Sequence, residues 1–265
     1  MTIKVIVAGP RGRMGSEVIH MLTEQPHLQL VACIDRKNDG KKLRDLSSFP
    51  NLDVPIFKDP ELCFQSVDAD VFIELTIPDA GYKHTVLAIK HGVRPVVGTS
   101  GFTNEQIDEL ISLAQEKNVG GLIAPNFAIG AVLMMQFSQM AAKFLPDVEI
   151  IEKHHDKKID APSGTAMKTV ELIKQARKEK SQGHPEEVET LRNVRGAEIE
   201  GIRLHSVRLP GLVAHQEVIF GGNGQTLTIT HDSYNRESFM AGVKFAVEKV
   251  MEMDKLVYGL ENVLS

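Results

Sequence analysis

The chain has 265 residues, 42% of them apolar and 25% charged, with two cysteines and a net charge of −5 at pH 7. That length is enough for one large or two medium domains with a buried core, and the composition excludes collagen-like, disordered and disulfide-scaffold classes. A pI near 6.1 leaves no global basic excess for nucleic acid or an anionic membrane.

Ile3–Ala8 is a β-rich run that stops at Gly9, and a helical pattern from about Met14 aligns Val18, Ile19 and Leu22. Leu28–Ile34 and 70–76 read as strands, followed by a helix to about Lys90 and a strand at 94–99. Thr103 and Gln106 form a capping-box signature for a helix with Ile107, Leu110, Ile111 and Ala114 on its apolar face, and 122–124 closes the series. Strands alternating with helices predict a Rossmann-like α/β domain with a parallel sheet over 1–127.

Beyond residue 127 the pattern changes. A long apolar helix is expected over 129–144, a strand at 148–151 and a helix after Ser163. Residues 178–198 are polar and read as a surface excursion. The segments 215–220 and 225–231 flank Gly221, Gly222, Asn223 and Gly224, a hairpin signal. Consecutive strands without intervening helices predict a second α+β domain, 128–235, with a mixed or antiparallel sheet. The tail from 236 to 253 is helical, with Phe239, Val243, Ala246 and Val250 aligned.

Cys33 and Cys63 are too few for a disulfide framework and have no metal-like spacing, so they are expected as reduced, buried thiols of a cytoplasmic protein. The N-terminal apolar run is too short for a secretory signal. Residues 119–142 carry no Asp, Glu, Lys or Arg, but Pro125, Asn126, Gln136, Ser138 and Gln139 interrupt them. A buried strand–loop–helix is expected there, and no membrane span.

The strongest local motif is Gly9, Gly12 and Gly15, placed after a strand and opening a helix, as a dinucleotide fingerprint requires. A tight turn at Gly9, close backbone approach at Gly12 and the helix dipole suit a pyrophosphate. Asp35 ends the second strand 20 residues beyond Gly15, where a carboxylate accepts ribose hydroxyls, and Arg36 beside it suits a 2′-phosphate. The pair predicts tolerance of both NADH and NADPH. Three loops follow predicted strands, Thr76 to Asp79, Gly98 to Gly101 and Ala124 to Phe127, where open α/β sheets bind ligands.

The densest chemistry begins at Glu152, where seven consecutive ionisable residues follow an apolar strand. If extended geometry persists, His154, Asp156 and Lys158 lie on one side and His155 opposite, whereas a bend would bring them all to one cleft. Ser163, Gly164 and Thr165 then open a helix and offer N–H and hydroxyl groups to a carboxylate. A lysine, imidazoles and a helix N-terminus together suit an anionic substrate that needs a proton. Adjacent His154 and His155 side chains diverge and lack a third ligand, so no metal is expected. His184, His205, His215 and His231 are scattered and read as structural or solvated.

The segments VIVAGPRGRMG near the start, GTSGF at 98–102, APNFAIG at 124–130 and EKHHDKKIDAPSGTA at 152–166 resemble the dihydrodipicolinate reductases, also called 4-hydroxy-tetrahydrodipicolinate reductases. The resemblance covers essentially the whole chain. It implies an NADPH- or NADH-dependent oxidoreductase of the diaminopimelate route to lysine, reducing a small cyclic dicarboxylate with loss of water. By the same resemblance His154 is a proton donor or acceptor and Lys158 the proton donor. His155, Ser163, Gly164, Thr165 and Arg236 fall on substrate-binding positions. Gly9, Pro10, Arg11, Gly12, Arg13, Met14, Asp35, Arg36, Gly98, Thr99, Ser100, Ala124, Pro125, Asn126 and Phe127 fall on cofactor-binding positions. Some relatives carry arginine where this chain has Ile77, and some carry glutamate in place of Asp35. The resemblance further implies a homotetramer built through the second domain's sheet, with residues 236–265 returning to the first domain. Two other readings of the residues are a dehydrogenase of another small dicarboxylate such as aspartate, and a binding protein that senses NAD(H) without turnover. The HHDKKIDAPSGT segment argues against the first, and the lack of a basic DNA-reading segment against the second.

Overall fold

β-Branched and apolar residues fill Ile3–Ala8 (β1), whose last four residues are wholly buried, as befits a strand covered on both faces. The computed structural model describes residues 2–264. After β1 come Arg13–Glu24 (α1), Leu28–Ile34 (β2), Ile56–Phe57 (β3), Pro60–Ser66 (α2), Val71–Glu74 (β4), Pro78–Lys90 (α3), Arg94–Val97 (β5), Asn104–Lys117 (α4) and Gly121–Ile123 (β6). Ile129–Ala142 (α5), Asp147–His154 (β7), Gly164–Ala176 (α6), Ala197–Ile199 (β8), Ile202–Arg208 (β9), Ala214–Gly222 (β10) and Gln225–Ser233 (β11) follow, then Met240–Lys249 (α7) and Leu256–Tyr258 (β12). The chain forms two compact units, one running to Phe127 and resuming at Phe239, the other spanning Ala128–Ser238.

In the first unit seven strands lie in the order β3-β2-β1-β4-β5-β6-β12, every pair parallel. The chain winds outward in both directions from β1, so a switch point opens where β1 meets β4. Phe72, Ile6, Ala32 and Ile34 pack with Phe64, Cys63 and Ala88 on one side of this sheet. Val97, Ile123, Leu110 and Leu256 form a neighbouring cluster. Cys33 and Cys63 are buried free thiols, and burial pushes the Cys63 thiol up to about 12.

The capping box is present: the Gln106 N–H donates to Thr103 Oγ1 at 3.2 Å and the Thr103 N–H to Gln106 Oε1 at 3.0 Å. Thr103→Ala is expected to lower stability by about 1 kcal/mol, read as a lower denaturant midpoint with an unchanged m-value.

The second unit holds a five-stranded mixed sheet, β11-β10-β7-β9-β8, in which only β7 and β9 are parallel. α5 and α6 pack together, and α5 also lies against β10 and β11. Val148, Ile150, Val218 and Phe220 line the sheet's buried face. Beyond Phe220 the hairpin ladder runs two pairs further than expected, to Gly222 opposite Gln225, leaving Asn223 and Gly224 as a two-residue turn with Gly224 at φ +72°. No helix among the described residues is long and apolar enough to cross a membrane. The charge-free stretch is spent on β6, a loop and α5.

Four strands and one helix escape a reading of the sequence: β3, β8, β9, β12 and α2. The α2 start does carry a signal, because Asp59 caps it and Pro60 occupies its first position.

Candidate active site

At the carboxyl end of β1 the chain turns at Gly9, φ +83°, so that Gly12 caps α1. A Cβ at Gly15 would overlap the Gly9 carbonyl, which explains the third glycine by backbone contact alone. No side chain caps α1, so its first-turn N–H groups are left for an anion. A pyrophosphate fits this terminus. Pro10 and Gly15 are buried, Met14 is half-buried, and Arg11, Gly12 and Arg13 are exposed.

At the end of β2, Asp35 is already engaged by its neighbours. Its buried carboxylate takes Arg11 through Nε and through Nη2 at 2.9 Å, Asn38 Nδ2 at 2.7 Å and the Lys37 N–H at 3.1 Å. The Arg11 hydrogen bonds hold it well below the usual carboxylate range, against burial. The cause is local: the fingerprint's middle position, usually glycine, is here an arginine long enough to reach the end of β2. Arg36 stays exposed beside the pair.

The three loops read as cofactor-bordering meet within this unit. A Cβ on Gly98 would come within 2.8 Å of Leu75 and 2.9 Å of Phe127. Thr99 is buried, Ser100 exposed, Ala124 and Phe127 buried, Pro125 exposed and Asn126 half-buried. Beneath them lies Glu74, fully buried and absent from the expected set. Its carboxylate accepts the Thr76 N–H at 2.6 Å and hydroxyl, and His84 Nδ1 lies 2.8 Å away. An acidic residue inside the apolar run 71–75 is the signal that marks it.

In the second unit the charged run does not continue as a strand. β7 ends at His154, and the chain turns with the Lys158 N–H donating to the His155 carbonyl at 3.1 Å. Of the two alternatives, extended alternation and a bend, the chain takes the bend. His154 Nδ1 lies 2.5 Å from Glu152 Oε2, while Lys158 Nζ donates to both Asp160 oxygens at 2.7 and 2.8 Å. Burial pushes the His154 pKa down, and the Glu152 carboxylate opposes it without prevailing. His154 is thus neutral near pH 7. His155 is exposed.

Ser163 caps α6, its Oγ accepting the Ala166 N–H at 3.2 Å, and its own N–H donates to Glu152 Oε1 at 3.2 Å. That N–H is spent internally, so the cradle is narrower than expected. Nothing lies within 4 Å of a Cβ built on Gly164, and Thr165 follows in the first turn. Arg236 is exposed in a short 3₁₀ turn after β11.

The sheet register explains how these parts share one end of the unit. Arg208, His154, Ala214 and Ser233 form a single row across β9, β7, β10 and β11. Lys158 and Ser163 follow the end of β7, and Arg236 follows the end of β11. The sequence does not mark Glu152 and Arg208 as a pair: Arg208 Nη1 and Nη2 donate to the two Glu152 oxygens at 2.8 and 2.7 Å. Of the scattered histidines, His205 pairs with Glu149 and His215 with Asp232, His231 is half-buried and His184 is exposed on the excursion. No group of three or more metal-ligating side chains occurs among the described residues.

A seven-stranded parallel sheet wound from a central β1, with a glycine turn and an uncapped helix at its switch point, defines a Rossmann-type dinucleotide-binding fold. The chain belongs to the dihydrodipicolinate reductase family: the family's N-terminal model matches residues 3–127 and its C-terminal model residues 130–264. It is 61% identical to the 4-hydroxy-tetrahydrodipicolinate reductase of Bacillus cytotoxicus, over 99% of this chain and 98% of that one. Identity to the enzyme of the same name from Geobacillus kaustophilus is 60% over the full length of both. Among solved structures it is similar to a dipicolinate-bound dihydrodipicolinate reductase from Paenisporosarcina, with 51% identity, TM-score 0.91 and full coverage of both chains. An amine dehydrogenase from Mycobacterium smegmatis shares the fold at 12% identity and TM-score 0.71, covering 100% of this chain and 97% of that one.

Proposed function

We propose that the chain reduces 4-hydroxy-tetrahydrodipicolinate to tetrahydrodipicolinate, with loss of water, using NADPH or NADH, in the diaminopimelate route to lysine. The observation that carries this reading is the sheet end of the second unit, which brings together a lysine ammonium, a half-buried histidine and the first turn of α6 at Gly164 and Thr165. That set suits a dicarboxylate that must also receive a proton.

The first unit is the dinucleotide-binding domain. Gly9 through Met14 and the first turn of α1 hold the pyrophosphate, Arg11, Asp35 and Arg36 meet the adenosine ribose, and the loops at Gly98 to Ser100 and Ala124 to Phe127 border the nicotinamide. When bound, NAD(P)H supplies a hydride from nicotinamide C4 to a carbon of the conjugated imine system. The second unit is the substrate and oligomerisation domain. Gly164 and Thr165 present the α6 N-terminus to one carboxylate, and His155 and Arg236 contribute from the flanking turns. Lys158, released from Asp160, donates the proton, and His154 relays protons near neutral pH.

Arg36→Ala is expected to raise the Kd for NADPH about tenfold or more while leaving that for NADH nearly unchanged, because the lost charge-assisted contact serves the 2′-phosphate. Fluorescence titration of the free protein reads both constants, and equal losses would remove that role.

The protein is further proposed to be a cytoplasmic homotetramer associating through the five-stranded sheet, whose edge strand β11 exposes Leu227. Light scattering on a sizing column would return four chain masses, and a monomer would contradict it.

The function is tested by following NADPH absorbance while 4-hydroxy-tetrahydrodipicolinate is generated enzymatically in the cuvette, with aspartate plus NADP⁺ run alongside. Substrate-dependent oxidation in the first and silence in the second are expected. No oxidation in the first would reject the proposal.

A further inference from the structure

The structure assigns Glu152 and Arg208 as the positioning pair of the reducing site: Glu152 fixes the His154 ring with Nε2 as its working nitrogen, and Arg208 holds Glu152 and the Lys158 loop in one register. The inference deepens the proposed function and rests on it for its kinetic part.

Glu152 is fully buried, and its donors come from three separate segments. His154 Nδ1 approaches Oε2 at 2.5 Å from the same strand, Arg208 brings both terminal nitrogens from β9, and the Ser163 N–H reaches Oε1 from the start of α6. Ser206 adds a side-chain hydrogen bond from β9. An ionised carboxylate only accepts, so the His154 proton that faces it must sit on Nδ1. The lone pair of the neutral ring is then on Nε2, turned away from Glu152. Arg208 also donates from Nη2 to the Asp160 carbonyl at 2.8 Å, and Asp160 is the residue that grips Lys158. One ion pair thus ties the histidine, the lysine loop and the helix N-terminus together.

Stability alone is a poor reason for such a pair. Taking the Glu152 carboxylate fully out of water, and most of Arg208 with it, is costly, and a well-packed apolar pair is often as stable. Arg208 Nε is buried without a partner among the described residues, which adds to that cost. What the pair provides is geometry, and a misplacement of about 1 Å in such a site costs on the order of 100-fold in rate.

Glu152→Gln is the isosteric test. Arg208 meets both positions, but the Ser163 N–H can only donate and keeps the amide oxygen at Oε1, which leaves the NH₂ facing His154 Nδ1 and forces the proton to Nε2. Nitrogen NMR of ¹⁵N-histidine-labelled protein, without cofactor or substrate, should show the Nδ1–H tautomer of His154 in the wild type and the Nε2–H tautomer in the variant. His154 is faced by the charges of Glu152 on its own strand, Arg208 on β9 and Lys158 in the loop. Loss of the one negative charge should therefore move its titration to lower pH. kcat should fall about 10- to 100-fold with the Kd for NADPH unchanged. Arg208→Lys, which keeps the charge but not the fork, should lose less of kcat and keep the Nδ1–H tautomer. A folded Glu152→Gln protein with the wild-type tautomer and kcat would overturn the assignment. Should that variant not fold, wild-type kcat in Arg208→Lys would overturn it equally. An Nδ1–H wild type that lacks turnover would instead refute the proposed function and leave the positioning intact.

Discussion

Alanine at Lys158 is expected to lower kcat about 100-fold or more, within the range of a lost general acid, while the Kd for NADPH stays within a factor of two or so. His154, whose pKa burial lowers, is neutral near pH 7 and cannot stand in as the resting acid. His154→Ala is expected to cost at least about tenfold, less than the lysine, because a relay is easier for water to replace than a donor. In the free protein Lys158 donates to both oxygens of Asp160, an exposed ion pair of the kind worth little, about 0–1 kcal/mol. A substrate carboxylate can therefore displace it at small cost. Steady-state kinetics with both cofactors reads these losses, and near-normal kcat in both variants would remove the acid–base assignment.

The second large effect is expected at Gly15. A Cβ there meets the Gly9 carbonyl, a backbone atom that cannot swing aside as a side chain would. Relief requires moving either the turn or the start of α1, and the Gly12 N–H to Gly9 carbonyl bond at 3.0 Å belongs to both. Gly15→Ala should cost about 1–3 kcal/mol of stability as overpacking and raise the Kd for NADPH and NADH alike by at least about tenfold through the disturbed anion site. Thermal melts and fluorescence titration measure the two parts. Unchanged affinity for both cofactors would contradict the role given to the turn.

The parallel sheet is legible because its strands are buried on both faces and read as unbroken apolar runs such as Val5 to Ala8. β3 and β12 are two and three residues long. Segments that short present no period, and only their neighbours β2 and β6 make them strands. β9 does alternate, with Ile202 and Leu204 buried and Arg203 and His205 less so, but it follows the polar excursion and is masked by it. Among site residues, His154, Lys158 and Ser163 stand out by chemistry and by spacing from α6. Their mutual arrangement does not, because the turn at 155–158 breaks the alternation that would relate them. Arg208 lies 56 residues from Glu152 in the chain. Only the parallel register of β7 and β9, which sets Arg208 beside His154, brings that pair together. The sequence motif points Arg11 and Asp35 at the cofactor separately; only the folded approach of the β1–α1 turn to the end of β2 makes them hold one another.

Deuterium transfer tests the central claim most directly. NADPH deuterated at nicotinamide C4 on the transferred face is mixed with the protein and freshly generated 4-hydroxy-tetrahydrodipicolinate, and the product is analysed by mass spectrometry. One deuterium per tetrahydrodipicolinate, with one NADP⁺ formed for each, is the expected result. NADPH oxidised without deuterium in the product, or product formed without NADPH consumption, would contradict it.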